Sequence, residues 1–254
     1  MIRIEGVYGG YGGLDILSDF HIEVPSGSIN CIVGPNGAGK STVLKTISGV
    51  LRPRLGTIEV DGTNVTGMSP ADILRAGIVQ VPQRHGLFAG LSVRTNVLMG
   101  AYVARRGRRK LDDRYEELAE MFPILARRAG EKAGSLSGGQ RRMVEFARAM
   151  MLEPRVVLLD EPTLGLDPKS RQVLHDSTKR MNEAGVTILM VEQNVRFGLS
   201  LADDVTVMSA GSVVLAGSAA DVSDNPDLMG LFFGLVRDGD DGSGDHVRGG
   251  RVGS

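Results

Sequence analysis

The sequence predicts an α/β fold, a mainly parallel sheet with helices on both faces, interrupted by a helical insertion. Three observations carry that reading. An apolar strand runs directly into a glycine-rich loop and a helix over residues 29–48. Apolar strands return at 156–159, 187–191 and 205–208, with a helical stretch over 168–184 between the first two. Between them, residues 84–148 read as helices, broken near Gly107, Pro123 and 130–134. Strands that alternate with helices pair in parallel and are covered on both faces.

From the start of the chain, short strands are expected at 2–8, 20–24, 28–33 and 57–60, separated by glycine-rich turns. A helix begins within 39–42 and runs to about Ser48. A further strand covers 78–81. After residue 236 the composition turns to glycine and aspartate: residues 237–254 hold six glycines, four aspartates and two aliphatic side chains. Such a segment buries too little surface to offset its ordering entropy and is expected to be disordered.

Composition excludes several classes. The 254 residues are 42% apolar and 23% charged, ordinary for a globular domain with its own core. A net charge of −1 gives no global field for nucleic acid or anionic lipid. Cys31 is the only cysteine, which rules out an internal disulfide and fits a reducing compartment. The longest apolar stretch, 228–236, is too short to span a bilayer. The opening residues 1–5 show no basic stretch followed by an apolar run, so no secretory signal is expected. His21, His85, His175 and His246 show no metal-ligand spacing.

Gly34-Pro35-Asn36-Gly37-Ala38-Gly39-Lys40-Ser41-Thr42 satisfies the phosphate-loop pattern G-x-x-x-x-G-K-[ST], between an apolar strand and a helix. Glycines let successive backbone N–H groups converge on phosphate oxygens, and the helix N-terminus adds positive partial charge. Lys40 should reach the β- and γ-phosphates of ATP, and the Ser41 hydroxyl should ligate Mg²⁺. The apolar run 156–159 then stops in Asp160-Glu161, placing two carboxylates at the carboxyl edge of the sheet, where α/β ligands bind. Asp160 is positioned to hold Mg²⁺ through water. Glu161 is positioned to orient or deprotonate the attacking water.

Leu136-Ser137-Gly138-Gly139-Gln140 precedes a helix expected over 141–152, with Ser137 as its N-cap. Its glycines offer a second phosphate-binding turn that the first motif does not need. With this motif the chain resembles the ATP-binding-cassette (ABC) ATPases over about residues 1–235, whose signature sequence it is. The resemblance implies a P-loop NTPase core with an antiparallel β subdomain and an inserted α-helical subdomain at about 84–148. It also implies that Gln83 touches Mg²⁺ and senses the γ-phosphate, and that Asp167 lies in the D-loop between two subunits. It places an adenine-stacking aromatic near Tyr11, with Tyr8 as a competitor. Two cassettes, identical or homologous, would dimerise head to tail, so that Ser137, Gly138, Gly139 and Gln140 of one complete the ATP site of the other.

One position departs from the commonest family pattern. Where most members carry a switch histidine, this chain has Val191-Glu192-Gln193-Asn194. The Gln193 amide donates a hydrogen bond but carries no titratable charge. Either turnover is slow or Glu161 suffices as base. Together with Val81-Pro82-Gln83 and an expected turn at Ala216-Gly217, these residues resemble the smaller ATPase subunit of branched-chain amino acid importers. Urea and amide importers are similar, and many relatives of that subunit carry Glu at the Gln83 position. The implied partners are a second cassette, two membrane permeases and a substrate-binding protein, with no nucleic acid, and the implied place is the cytoplasmic membrane surface. A lipid exporter cassette is an alternative. A soluble, non-transport ABC ATPase usually has two cassettes or long coiled coils, and this chain has neither.

Arg105, Arg106, Arg108, Arg109 and Lys110 form a basic cluster, either a solvated face or a contact with lipid phosphates. Cys31 is expected in the core. Met143, Met150 and Met151 are expected to pack helices. By the resemblance, residues 87–97 should meet the permease.

Overall fold

The computed structural model describes residues 1–84, 86–104 and 108–224, without the side chains of Ala104, Arg108 and Arg109. The expected disordered tail, His85, His246, Arg105 and Arg106 lie outside the described residues, and of the basic cluster's side chains only that of Lys110, which is exposed, is described.

Strands β1 (Ile2–Tyr11) and β2 (Leu14–Val24) form an antiparallel hairpin, and β3 (Ile29–Val33) leads to helix α1 (Lys40–Ile47). Then come β4 (Leu55–Val60), β5 (Thr63–Asn64), α2 (Pro70–Arg75) and β6 (Ile78–Val81). The helical insertion follows as α3 (Val93–Leu98), α4 (Arg108–Met121), α5 (Ile124–Arg128) and α6 (Gly138–Met150). The chain re-enters the sheet with β7 (Val156–Asp160), α7 (Pro168–Glu183), β8 (Thr187–Glu192) and α8 (Val195–Leu201). It continues through β9 (Asp204–Ser209), β10 (Ser212–Ser218) and α9 (Ala219–Ser223).

Two sheets result. One is four-stranded and antiparallel, in the order β2-β1-β4-β5, and the other is six-stranded, in the order β10-β9-β3-β8-β7-β6. In the larger sheet β9, β3, β8, β7 and β6 run parallel and β10 is antiparallel. Every residue of β3, β7 and β8 is buried, which explains why they read as continuous apolar runs. Their side chains alternate between two cores. Cys31, Val33, Leu159 and Met190 belong to the core that includes the helical insertion, α7 and α8, whereas Ile32, Leu158, Leu189 and Val191 share a core with α1 and the small sheet. Each such side chain contributes about 1.5–3 kcal/mol on burial. The sheet therefore holds the ends of β3 and β7 at one carboxyl edge.

The structure revises three local expectations. The hairpin is longer than expected on both strands, because β1 shifts register between Ile4 and Val7 and again at Gly9 and Gly10. Those irregularities break the period-two pattern from which strands are read. The helix after the glycine motif starts at Gly138 rather than at residue 141. Ser137 and Gln140 close a capping box that draws both glycines into the first turn. Ala216-Gly217, expected as a turn, lies in β10, paired with Thr206 and Val205. Cys31 is buried in the core, as expected.

Candidate functional site

The loop between β3 and α1 is shaped by its glycines and its lysine. Gly39 caps α1 at φ 101° with no side-chain cap, a conformation that L side chains rarely adopt. The helix start is thus left to backbone N–H groups, which suit an anion. Lys40 is 4% exposed, and its ammonium donates to the carbonyls of Gly34 at 2.8 Å and Pro35 at 3.0 Å. Burial lowers its pKa, opposed by the carboxylates of Glu161 and Asp160. The Lys40 Nζ to Glu161 Oε1 distance is 4.0 Å. The loop, its cation and the acidic strand end are therefore one cluster.

Ser41 Oγ donates to Asp160 Oδ1 at 2.8 Å. Burial raises the Asp160 pKa, with the Ser41 hydrogen bond opposing it. A hydroxyl and a carboxylate so close are hard oxygen donors of the type that holds Mg²⁺. No group of three or more His, Cys, Asp or Glu is placed to hold a metal among the described residues. A cation here would therefore share Ser41 and Asp160 with oxygens of a bound phosphate and with water.

Glu161 follows at φ 43°, a strained backbone of a kind that costs about 1–3 kcal/mol and gathers at functional sites. Its N–H donates to Val191 O at 3.0 Å, and Gln83 Nε2 donates to its Oε2 at 2.6 Å. Gln83, just beyond β6, is thus brought onto Glu161. Gln193 is exposed just past β8 and shares a cavity of about 310 Å³ with Glu161, Thr163, Leu164 and Asn194.

Tyr11 ends β1, 46% exposed, with Lys45 Nζ 5.5 Å from its ring centre and donating to its hydroxyl at 3.2 Å. Tyr8 instead lies under the Arg54 guanidinium at 5.7 Å. Of the two, Tyr11 is the more exposed.

The second glycine motif is built elsewhere. Ser137 Oγ accepts from Gln140 N–H at 3.3 Å, and Gln140 Oε1 accepts from Ser137 N–H at 3.0 Å. A Cβ on Gly139 would stand 2.4 Å from Ser170 Oγ, so only glycine lets α6 meet α7 this closely. Asp167 caps α7 by accepting from Ser170 N–H at 3.0 Å, and the Ser170 hydroxyl holds its carboxyl below the usual range. Ser137, Gly139, Gln140 and Asp167 line a cavity of about 750 Å³ that contains no residue of the 34–42 loop. The fold therefore does not gather the two glycine motifs around that cavity.

Sequence reasoning missed two buried groups. Arg142 and Glu145, each 1% exposed on α6, form an ion pair at 3.0 Å. Arg142 donates to the carbonyls of Pro82 at 2.9 Å and Gln83 at 3.0 Å, and Glu145 accepts from Gly86 N–H at 2.7 Å. Glu192, also 1% exposed, accepts from Thr163 and Asn194. Burial pushes its pKa up. A charge ending an apolar strand was the available signal for Glu192. For Arg142 and Glu145 the spacing of three within a helix was the only one.

A family profile described as "ABC transporter" matches residues 17–164. The chain is 34% identical to the high-affinity branched-chain amino acid transport ATP-binding protein BraG of Pseudomonas aeruginosa, over 92% of this chain and 100% of that one. It is 34% identical to the "probable branched-chain amino acid transport ATP-binding protein LivF" of Archaeoglobus fulgidus, over 93% and 100%. It is also 35% identical to the sulfate/thiosulfate import ATP-binding protein CysA of Mycolicibacterium paratuberculosis, over 92% of this chain and 65% of that one. Among solved structures, the ADP conformation of MJ1267, an ATP-binding cassette of an ABC transporter, superposes with a TM-score of 0.84 at 26% identity, covering 92% and 98%.

Proposed function

The chain belongs to the ABC transporter family as an ATP-hydrolysing subunit, and from that premise we propose that it powers import of branched-chain or other hydrophobic amino acids. The observation that carries the ATPase chemistry is the cluster of Lys40, Ser41, Asp160 and Glu161 at one sheet edge. The amino acid substrate is supported by the two relatives named for branched-chain transport, which match along their whole length. The similarity to a sulfate/thiosulfate import subunit makes sulfate the competing cargo.

In this reading residues 1–235 are the cassette. ATP lies on the 34–42 loop with its base against Tyr11, and Lys40 neutralises the β- and γ-phosphates. Mg²⁺, held by Ser41, Asp160 and Gln83, would supply Lewis-acid polarisation of the transferring phosphoryl group. Glu161 orients or deprotonates the attacking water, and Gln193 donates a hydrogen bond toward the γ-phosphate. The Ser137–Gln140 turn of a second cassette closes the site, which explains why one chain presents two separate phosphate-binding turns. No helix among the described residues is long and apolar enough to cross a membrane. The chain acts at the cytoplasmic membrane surface through two permeases, fed by a substrate-binding protein.

Proteoliposomes holding the chain with its permeases and binding protein test this. Leucine should accumulate in an ATP-dependent way and stimulate hydrolysis, while urea and sulfate should not. Transport of sulfate in place of leucine would overturn the cargo, and absence of ATP turnover would overturn the enzyme.

A further inference from the structure

The corner after the acidic strand end is strained and clamped at the same place. Glu161 sits at φ 43°. Pro162 follows and has no N–H with which to anchor the corner. The anchor is Thr163. Its N–H donates to Glu192 Oε1 at 3.0 Å and its hydroxyl to Glu192 Oε2 at 2.8 Å. Glu192 Oε2 also accepts from Asn194 N–H at 3.4 Å. One buried carboxylate thus ties the 161–163 corner to the turn that carries Gln193. A buried carboxylate is costly where an apolar residue could end the strand, and the proposed phosphate chemistry gives it no direct task.

We propose that Glu192 is a positioning residue that holds Glu161 in its left-handed conformation and so keeps the Glu161 carboxylate beside Lys40 and Gln83. The inference rests on the ATPase reading and adds to it. A strained backbone persists only where its surroundings over-determine it. Three contacts do so here: Glu161 N–H to Val191 O, Leu164 N–H to Glu161 O, and the pair of hydrogen bonds that Thr163 donates to Glu192. The first joins the Glu161 N–H to the backbone of β8, and the second lies within the corner and can shift with it. Only the third ties it to a separate buried side chain. Without it the Glu161 backbone relaxes toward negative φ and its carboxylate swings away from the reacting centre. Lys40 keeps its bonds to the Gly34 and Pro35 carbonyls and Ser41 its bond to Asp160, none of which involves Glu192 or Thr163, so nucleotide binding survives while chemistry slows.

Steady-state kinetics of the chain, with its partner subunits, on Mg-ATP separate these effects in Glu192→Ala, Thr163→Val and Glu192→Gln. The first two should lower kcat at least about tenfold and leave KM within about threefold. Glu192→Gln should stay within about threefold of wild type, because its amide oxygen can accept from Thr163 N–H and its NH2 can donate to the Thr163 hydroxyl, which gives up only the 3.4 Å bond from Asn194 N–H. If folded Glu192→Ala or Thr163→Val turns over at the wild-type rate, or if KM rises in step as kcat falls, the positioning role is wrong. Glu192→Gln as slow as Glu192→Ala would also overturn it, since charge rather than geometry would then matter. Should Glu192→Ala fail to fold, the nearly isosteric Thr163→Val decides alone. If wild type itself shows no turnover, the ATPase reading fails. Amide exchange at Thr163 then judges the clamp: faster exchange in Glu192→Ala, or in Thr163→Val where Glu192→Ala does not fold, upholds it, and unchanged exchange overturns it.

Discussion

Arg142 Nη2 donates to the carbonyl oxygen of Gln83 at 3.0 Å, joining the helix that Ser137 caps to the residue whose amide reaches Glu161. The helix that opens with the second glycine motif is therefore joined to Glu161 through Gln83, and Arg142 is also held by its buried ion pair with Glu145. Removing one partner of such a pair strands the other in the core. Arg142→Met should cost about 3–5 kcal/mol in denaturant unfolding, and Arg142→Met with Glu145→Leu should recover part of that loss. A single variant as stable as wild type would show that the pair contributes little.

Lys40→Ala should abolish measurable ATP hydrolysis, because the loop then has no cation beside the phosphates. The Lys40 ammonium already bonds the loop's own carbonyls at 2.8 and 3.0 Å, so it is fixed where the pattern needs it. Wild-type turnover at saturating Mg-ATP would remove the 34–42 loop from the mechanism.

Asp160→Asn should make the nucleotide-free chain more stable at pH 7 while destroying Mg-ATP turnover. Burial raises the folded pKa of Asp160 above its ordinary 3.8. Between those two values the folded state binds more protons than the unfolded state, so stability falls as pH rises through that window. Below 3.8 the residue is neutral in both states and the penalty vanishes. The melting-temperature advantage of the variant should therefore be present at pH 7 and shrink toward pH 3.8. An advantage independent of pH would assign it to packing instead.

These sites differ in how openly the sequence displayed them. The phosphate loop and the Asp160-Glu161 strand end were legible because each is local: a few contiguous residues specify both chemistry and backbone. The helical insertion was legible as a change of period. The long β1–β2 hairpin was not, since its register shifts scramble alternation. The Ala216-Gly217 pair reads as a turn by propensity, yet pairing with β9 overrides it. Glu192 and Arg142 were invisible as site residues for a different reason. Each works through partners 29 and about 60 positions away, and no local pattern encodes contacts of that range.

Gln193→His should preserve or modestly raise turnover, since it restores the commoner switch residue at an exposed position with room around it. The neighbouring Asn194 caps α8 by accepting from Phe197 N–H at 3.1 Å, so the backbone here is set independently of the 193 side chain. A fall beyond about tenfold, or 1.4 kcal/mol, would mean that the site is built around an amide.

Glu161→Gln tests chemistry and assembly together. If Glu161 orients or deprotonates water, its amide should stop hydrolysis, while Lys40, Ser41 and Asp160 still bind Mg-ATP. The substitution also removes a negative charge 4.0 Å from Lys40, beside the place a γ-phosphate would occupy. Less repulsion there should let the nucleotide-closed state accumulate. In the proposed reading a second cassette supplies Ser137 and Gln140 to that closed state, and the cavity they line in one chain holds no residue of the 34–42 loop. Light scattering should find the variant dimeric with ATP and monomeric with ADP, and a homologous partner cassette should rescue dimers if the homodimer is weak. Hydrolysis at the wild-type rate would exclude Glu161 as the base. Failure of ATP to promote dimers even with the partner present would leave the Ser137–Gln140 turn without its proposed role in trans, and its capping of α6 would then be its whole function.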